Sequence, residues 1–248
     1  MEHNCQSFVF LLSYPDWMEE PKKICECRQC EFRSVVFNNL SGDEISLICL
    51  SKRDKSFVRG EMIIREGQEI SEFLYLKRGL VKLFKMGAEG KDQIINIAKP
   101  FDFVSLLSVF SDTHYNFSIA AIDDSTVCII DLSVIKEMIE KNGKFALRIM
   151  EKLSQSSDKI IHNNIQLNQK QLRGRIAYIL LFFSNEIFYN KTFDLPVSRK
   201  EIAQLIDMTT ENVIRIFSEF RRDNLISISG KTIEILNPEM LKRISAHG

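Results

Sequence analysis

No net charge, no apolar run of bilayer length and no basic leader mark this 248-residue chain. Lys+Arg 33 balance Asp+Glu 33, which excludes a globally basic nucleic-acid binder. The apolar stretch at residues 8–12 is far too short to span a membrane, and it follows Met1-Glu2-His3 without a basic flank. Both features argue against a membrane span or signal peptide and place the expected site of action in the cytoplasm. Internal repeats, low-complexity tracts, nucleophile motifs, phosphate loops and metallohydrolase motifs are also lacking, so no enzyme is expected. The six cysteines are too unevenly placed for a disulfide scaffold. In a reducing compartment they are free thiols, metal ligands or redox centres.

What is present is 45% hydrophobic and 27% charged, enough for one large or two modest globular domains. Residues 170–248 hold 12 basic and 9 acidic side chains, against 21 and 24 in residues 1–169. That excess points weakly at the C-terminal third as an anion-binding part.

Residues 56–131 read as short β-branched and aromatic runs punctuated by Gly60, Gly67, Gly79 and Gly90, the pattern of a small antiparallel barrel or jelly roll. Residues 133–167 contain no proline and one glycine, Gly143. Within them Ile149, Leu153, Ser156, Ile160, Asn163 and Leu167 recur at alternating spacings of four and three, the pattern of a two-stranded coiled-coil seam. An ordinary helix packed on its own barrel is the competing reading. After the polar break at Asn168-Gln169-Lys170, a helical run carries Ile176, Leu180, Phe183 and Ile187 on one face.

Ser198-Arg199-Lys200-Glu201 is a capping box opening a short helix. Asp207-Met208 makes a turn, and Thr209 caps a helix from Thr210 to about Asp223. On that helix Glu211, Ile214, Arg215 and Ser218 fall on one side; Val213, Ile216, Phe217 and Phe220 fall on the other. Two short helices joined by a tight turn form a helix-turn-helix, whose second helix enters the major groove. Arg215 then suits guanine O6 and N7, Glu211 a cytosine amino group, and Ile214 a thymine methyl. Glu211 and Arg215 paired on the helix surface is the alternative. A hairpin around Ser229-Gly230 adds a wing whose Lys231, with Arg199, Arg221 and Arg222, suits phosphates.

Barrel, long helix and winged helix-turn-helix in this order resemble the Crp/Fnr superfamily of bacterial transcription regulators, from about Cys27 to Ile244. The most specific segments are residues 198–203, 209–215, 224–226 and 230–233. The resemblance implies an α+β fold: a cyclic-nucleotide-binding-like β jelly roll, a long dimerisation helix and a C-terminal winged helix-turn-helix. The corresponding division is a cysteine-bearing arm at 1–30, a barrel at 31–142, the dimer helix at 143–169 and the DNA-binding domain at 170–248. It implies a homodimer on an inverted-repeat operator, with RNA polymerase as a further partner. The implied DNA-contacting set is Arg199, Thr209, Thr210, Glu211, Asn212, Ile214, Arg215, Ser218 and Lys231. Ile214 stands where the two namesake regulators carry a small residue, so neither namesake's operator transfers.

The cAMP-binding members carry a Gly-Glu pair for the ribose and an Arg-Ser pair for the cyclic phosphate. Here Ser105-Leu106 replace the first pair, and no arginine occurs between Ser105 and Asp131. A buried cyclic phosphate would be uncompensated, so cAMP is not expected as effector. Cys25, Cys27 and Cys30 crowd six residues, and Cys128 falls where the oxygen-sensing Fnr branch places its distant ligand. Four thiolates suit an iron-sulfur cluster or zinc. The N-terminal spacing differs from that branch's, and Cys128, amid Val127, Ile129 and Ile130, also reads as a buried apolar residue. A thiol oxidoreductase built on Cys27 and Cys30 is a further alternative.

Overall fold

The computed structural model describes residues 36–87 and 92–248. Cys25, Cys27 and Cys30 lie outside the described residues. So do residues 88–91, with Gly90, and the whole of the arm at 1–30.

Two antiparallel sheets build the N-terminal barrel. One has the order β1 (Lys52–Phe57), β7 (Ser125–Asp131), β3 (Glu72–Arg78); the other runs β2 (Met62–Ile64), β6 (Ser118–Ala121), β4 (Val81–Lys85), β5 (Gln93–Ala98). Side chains alternate across a strand, and β7 shows the result. Val127 and Ile129 point into the barrel with Leu74, Leu76, Val81 and Ile119. Cys128 and Ile130 point outward beneath a helical layer containing Ile45, Ile48, Ile135 and Phe145. That layer is α1 (Gly42–Ser51), α3 (Leu132–Lys141) and the start of α4 (Gly143–Asn168); the single turn α2 (Leu106–Val109) lies between β5 and β6. Between β3 and β4 the chain turns at Gly79 with φ +87°, where a Cβ would stand 2.4 Å from the Asp124 carbonyl oxygen. Only glycine fits there.

The first strand begins four residues before the expected start at 56. Lys52, Arg53, Asp54 and Lys55 show no apolar alternation because β1 is an edge strand with most of its side chains in solvent. Charges also protect such an edge from pairing with other chains. Asp54 accepts from Lys77 Nζ at 2.7 Å, and Arg53 pairs with Glu72.

The helical run at 133–167 is broken at Asn142. The Asn142 Oδ1 caps α4 by accepting from Phe145 N at 3.1 Å, while its Nδ2 donates to Glu44 Oε1 at 3.1 Å. α4 has 26 residues and is roughly 39 Å long at 1.5 Å per residue. The six residues assigned to a dimer seam face the chain's own body instead. Ile149 and Leu167 are buried in two different intrachain clusters, and Leu153 packs against the first of these. Ser156 and Ile160 close over the barrel mouth, and Asn163 Oδ1 accepts from Tyr178 Oη at 2.7 Å. The opposite face of α4 exposes Leu147, Met150, Ile161 and Ile165.

The C-terminal part comprises α5 (Leu172–Phe182), extended by one wide turn to Ile187, then β8 (Thr192–Asp194), α6 (Arg199–Leu205), α7 (Thr210–Arg222), β9 (Ile226–Ser229), β10 (Thr232–Ile235) and α8 (Pro238–His247). The last three strands form one antiparallel sheet in the order β8-β10-β9. Ile176, Leu180, Phe183, Val213, Ile216, Phe217, Phe220 and Leu241 share one core with Leu80, Phe84, Ile94 and Ile97 of the barrel. The α+β architecture expected of the sequence is the one found. Among the described residues no helix is long and apolar enough to cross a membrane.

Candidate nucleic-acid interface

Local chemistry sets both helices of the interface. Ser198 Oγ accepts from Glu201 N at 3.2 Å while Glu201 Oε2 accepts from Ser198 N at 2.9 Å, so the capping box fixes the start of α6. Asp207 takes a left-handed φ of +50°, which aspartate tolerates, and the chain re-enters helix at once. Thr209 Oγ1 then caps α7 by accepting from Asn212 N at 3.3 Å. Val213, Ile216, Phe217 and Phe220 are buried, whereas Glu211, Ile214, Arg215 and Ser218 are exposed. Thr209 is exposed, and Thr210 and Asn212 are partly so. The Thr209 hydroxyl oxygen is committed to its cap, and Ser218 Oγ donates to its own helix at the Ile214 carbonyl, 3.0 Å away.

Arg215 turns its guanidinium along the helix, donating from Nη1 to Glu219 Oε1 at 2.5 Å and from Nη2 to Asn212 Oδ1 at 3.3 Å. The surface partner is therefore Glu219 rather than Glu211. Lys231 is exposed at the β9–β10 turn, beside Gly230 with its φ of +59°. Arg199 differs from its expected role at a phosphate. It is half-buried, its guanidinium carbon lies 3.8 Å from the centre of the Phe217 ring, and burial lowers its pKa. In this arrangement it braces α6 against α7.

Docking on the barrel orients the whole unit. Lys82 Nζ on β4 meets Glu201 Oε1 on α6 at 2.7 Å, and Arg59 Nη2 donates to the Pro196 carbonyl at 2.8 Å. The Glu201 carboxyl is held below its usual range: burial alone would raise it, and the bonds from Lys82 and Ser198 outweigh that. Nothing local in the sequence marks Lys82 or Arg59, because their partners stand more than 100 residues away.

The barrel mouth is nearly closed. Under Ser156 and Ile160 lies a cavity of about 20 Å³, walled by Val81, Leu83, Ala98, Phe103, Val104 and Ile119 among others. That is room for about one water, against the several hundred Å³ of ordinary ligand pockets. Ser105 Oγ is taken up structurally, accepting from Leu74 N at 2.9 Å. The same loop carries Asp102, whose carboxyl is pushed upward by burial although Lys99 N donates to it at 3.0 Å; the Lys99 ammonium itself points away, to the Glu186 carbonyl at 2.8 Å.

Cys128 is 8% exposed within an apolar cluster that includes Tyr75 and Ile130. Among the described residues no group of three metal-ligating side chains occurs.

Residues 54–142 match the family model of the cyclic nucleotide-binding domain, and residues 174–244 match that of the Crp-like helix-turn-helix domain. The chain belongs to the Crp/Fnr superfamily. Among the Crp/Fnr proteins that it resembles is the transcriptional activator protein Anr of Pseudomonas protegens, 26% identical over 236 residues, covering 90% of this chain and 96% of that one. The nitrogen fixation regulation protein FixK of Bradyrhizobium diazoefficiens is 28% identical, covering 89% and 94%. The fumarate and nitrate reduction regulatory protein of Vibrio cholerae is 24% identical, covering 88% and 90%. The Crp/Fnr fold itself is seen in the structure of FixK2 from Bradyrhizobium japonicum, with a TM-score of 0.72 at 21% identity over 79% of this chain and 98% of that one.

Proposed function

We propose that the protein is a homodimeric, sequence-specific transcription regulator that binds an inverted-repeat operator in the cytoplasm, works with RNA polymerase there, and does not respond to cAMP. Its relatives are transcription regulators, and it is read as one and not as an enzyme. The observation that carries the reading is the free face of α7. It presents Glu211, Ile214 and Arg215 outward beside the wing, while the other face is sunk in the core. The proposed division of labour gives base reading to Glu211, Ile214 and Arg215. Phosphate positioning goes to Thr209, whose hydroxyl can still donate while its oxygen caps the helix, and to Thr210, Asn212 and Lys231; Ser218, its hydrogen given to the Ile214 carbonyl, offers only van der Waals contact, and Arg199 is a brace. Selection of fragments from random DNA by the purified protein, followed by sequencing, should return an inverted repeat. Its half-site centres should lie about one helical turn, ~34 Å, apart. Selection without enrichment would remove the reading.

For cAMP, a dissociation constant no better than about millimolar is expected in calorimetry, because the small, mostly apolar cavity has no cationic side chain in its lining to meet a cyclic phosphate. Micromolar binding accompanied by a gain in operator affinity would overturn this.

A second reading keeps operator binding as the output and places an iron-sulfur cluster or zinc on Cys25, Cys27, Cys30 and Cys128. It is favoured by the place of Cys128 on β7 and by a relative named for fumarate and nitrate reduction. The apolar walls around Cys128 suit a structural thiol better than a metal ligand, so the first reading stands without a metal. Under the second, anaerobically purified protein should contain stoichiometric iron with sulfide, or zinc, and Cys128→Ala should lose it. Metal-free anaerobic protein that binds its operator at full strength, with all four thiols titratable, would exclude it.

A further inference from the structure

We infer that Glu219 is the positioning residue of the base-reading Arg215, and that Arg173, reaching over from α5, is what holds Glu219 in place. The inference rests on the reading of Arg215 given above and adds to it the groups that set its specificity.

Glu219 is unexpected where it stands. It lies in the C-terminal half of α7, where a carboxylate opposes the helix dipole, on the flank between the free face and α5. Asp223 at the end of the same helix adds a second negative charge. Arg173 answers both. Its Nη1 donates to Glu219 Oε2 at 2.8 Å and its Nη2 to Asp223 Oδ2 at 2.9 Å. Its guanidinium carbon lies 5.1 Å from the centre of the buried Phe220 ring, so the clamp rests on the core and not on a mobile surface. The two carboxylates raise the pKa of Arg173, Asp223 first. The Glu219 side chain is only 19% exposed.

Each oxygen of that carboxylate takes one arginine: Oε2 takes Arg173, and Oε1 takes Arg215 Nη1. Asn212 Oδ1 holds the other terminal nitrogen of Arg215 from the previous turn. The guanidinium is thus straddled from i−3 and i+4. Each terminal nitrogen of a guanidinium carries two hydrogens, so one N–H of each remains to donate to guanine N7 and O6 in the bidentate geometry. A fork held in this way loses little freedom on binding, and a mispaired base cannot be met by swinging it aside.

The test uses the full-length protein, its selected operator, and operator variants changed at the base pair whose preference Arg215→Ala relaxes. Fluorescence anisotropy at fixed salt gives the ratio of affinities for the two DNAs. Glu219→Gln and Arg173→Gln are each expected to lower this ratio about three- to tenfold, part of the loss caused by Arg215→Ala. Together they should lower it no further than either alone, and in the Arg215→Ala background neither should change it. Arg173→Lys, which keeps the charge on Glu219, should retain most of the ratio. If Arg215→Ala lowers the ratio but Glu219→Gln leaves it within about twofold, the inference is wrong and the reading of Arg215 survives. A parallel loss on operator and random DNA with a lower Tm would show a merely structural clamp, which also overturns it. If Arg215→Ala itself leaves the ratio unchanged, the reading of Arg215 fails and this inference falls with it.

Discussion

Replacing Arg215 by alanine is expected to weaken binding to the best operator by about 1–3 kcal/mol, roughly 5- to 150-fold, and to relax the preference at one base pair in each half-site. Affinity for random DNA should change far less. The reason is geometric: Arg215 is exposed on the free face of α7, and its guanidinium is already ordered before DNA arrives. Lys231→Ala provides the contrast. Under the proposed assignment Lys231 at the wing tip meets phosphate and no base, so its loss should weaken operator and random DNA alike and lower the salt slope by about one. Titrations at several salt concentrations separate the two. An equal loss on both DNAs for Arg215→Ala would count against base reading.

The second large effect is expected on α4. Leu147, Met150, Ser154, Ser157, Ile161 and Asn164 follow one another at spacings of three and four on the face that the chain itself leaves uncovered, with Ile165 at its flank. We propose this face as the dimer seam. Met150→Glu combined with Ile161→Glu would bury like charges across it, each costing several kcal/mol. Light scattering should then report a monomer, and operator affinity should fall by about 100-fold or more as the two half-sites lose their linkage. Leu153→Glu with Ile160→Glu should act differently, because those side chains lie against the barrel. Their first effect should be a lower Tm. A double variant at Met150 and Ile161 that remains dimeric would refute the assignment.

The contrast between the two faces of α4 shows what the sequence could carry. Apolar spacing tells which residues share a face but not what covers it. Ile149, Leu153, Ile160 and Leu167 form the more apolar stripe because the barrel and the C-terminal core bury it. The stripe interrupted by Ser154 and Ser157, which the chain does not cover, is the one proposed for a partner. The winged helix was legible because its determinants are local. Caps at Ser198 and Thr209 act within three residues, and the core face of α7 follows from one helical period. β1 was hidden for the opposite reason, since an edge strand has no need of apolar alternation. Arg173 and Glu219 gave no signal either: 46 residues separate them, and only the packing of α5 against α7 brings them together.

The core that the reading head shares with the barrel has a mechanical corollary. Leu80, Phe84, Ile94 and Ile97 belong to one hydrophobic cluster with residues of α5–α8, and Lys82 and Arg59 tie the same two bodies. The recognition helix is thus carried like a tooth on a gear, with little slack between it and the sheets. One base pair inserted between half-sites moves the second by ~3.4 Å and turns it by roughly 35°. A head on a loose tether would follow that change by bending its tether. A head seated in a common core must strain the core or bend the DNA, so operator spacing becomes as strict a requirement as operator sequence.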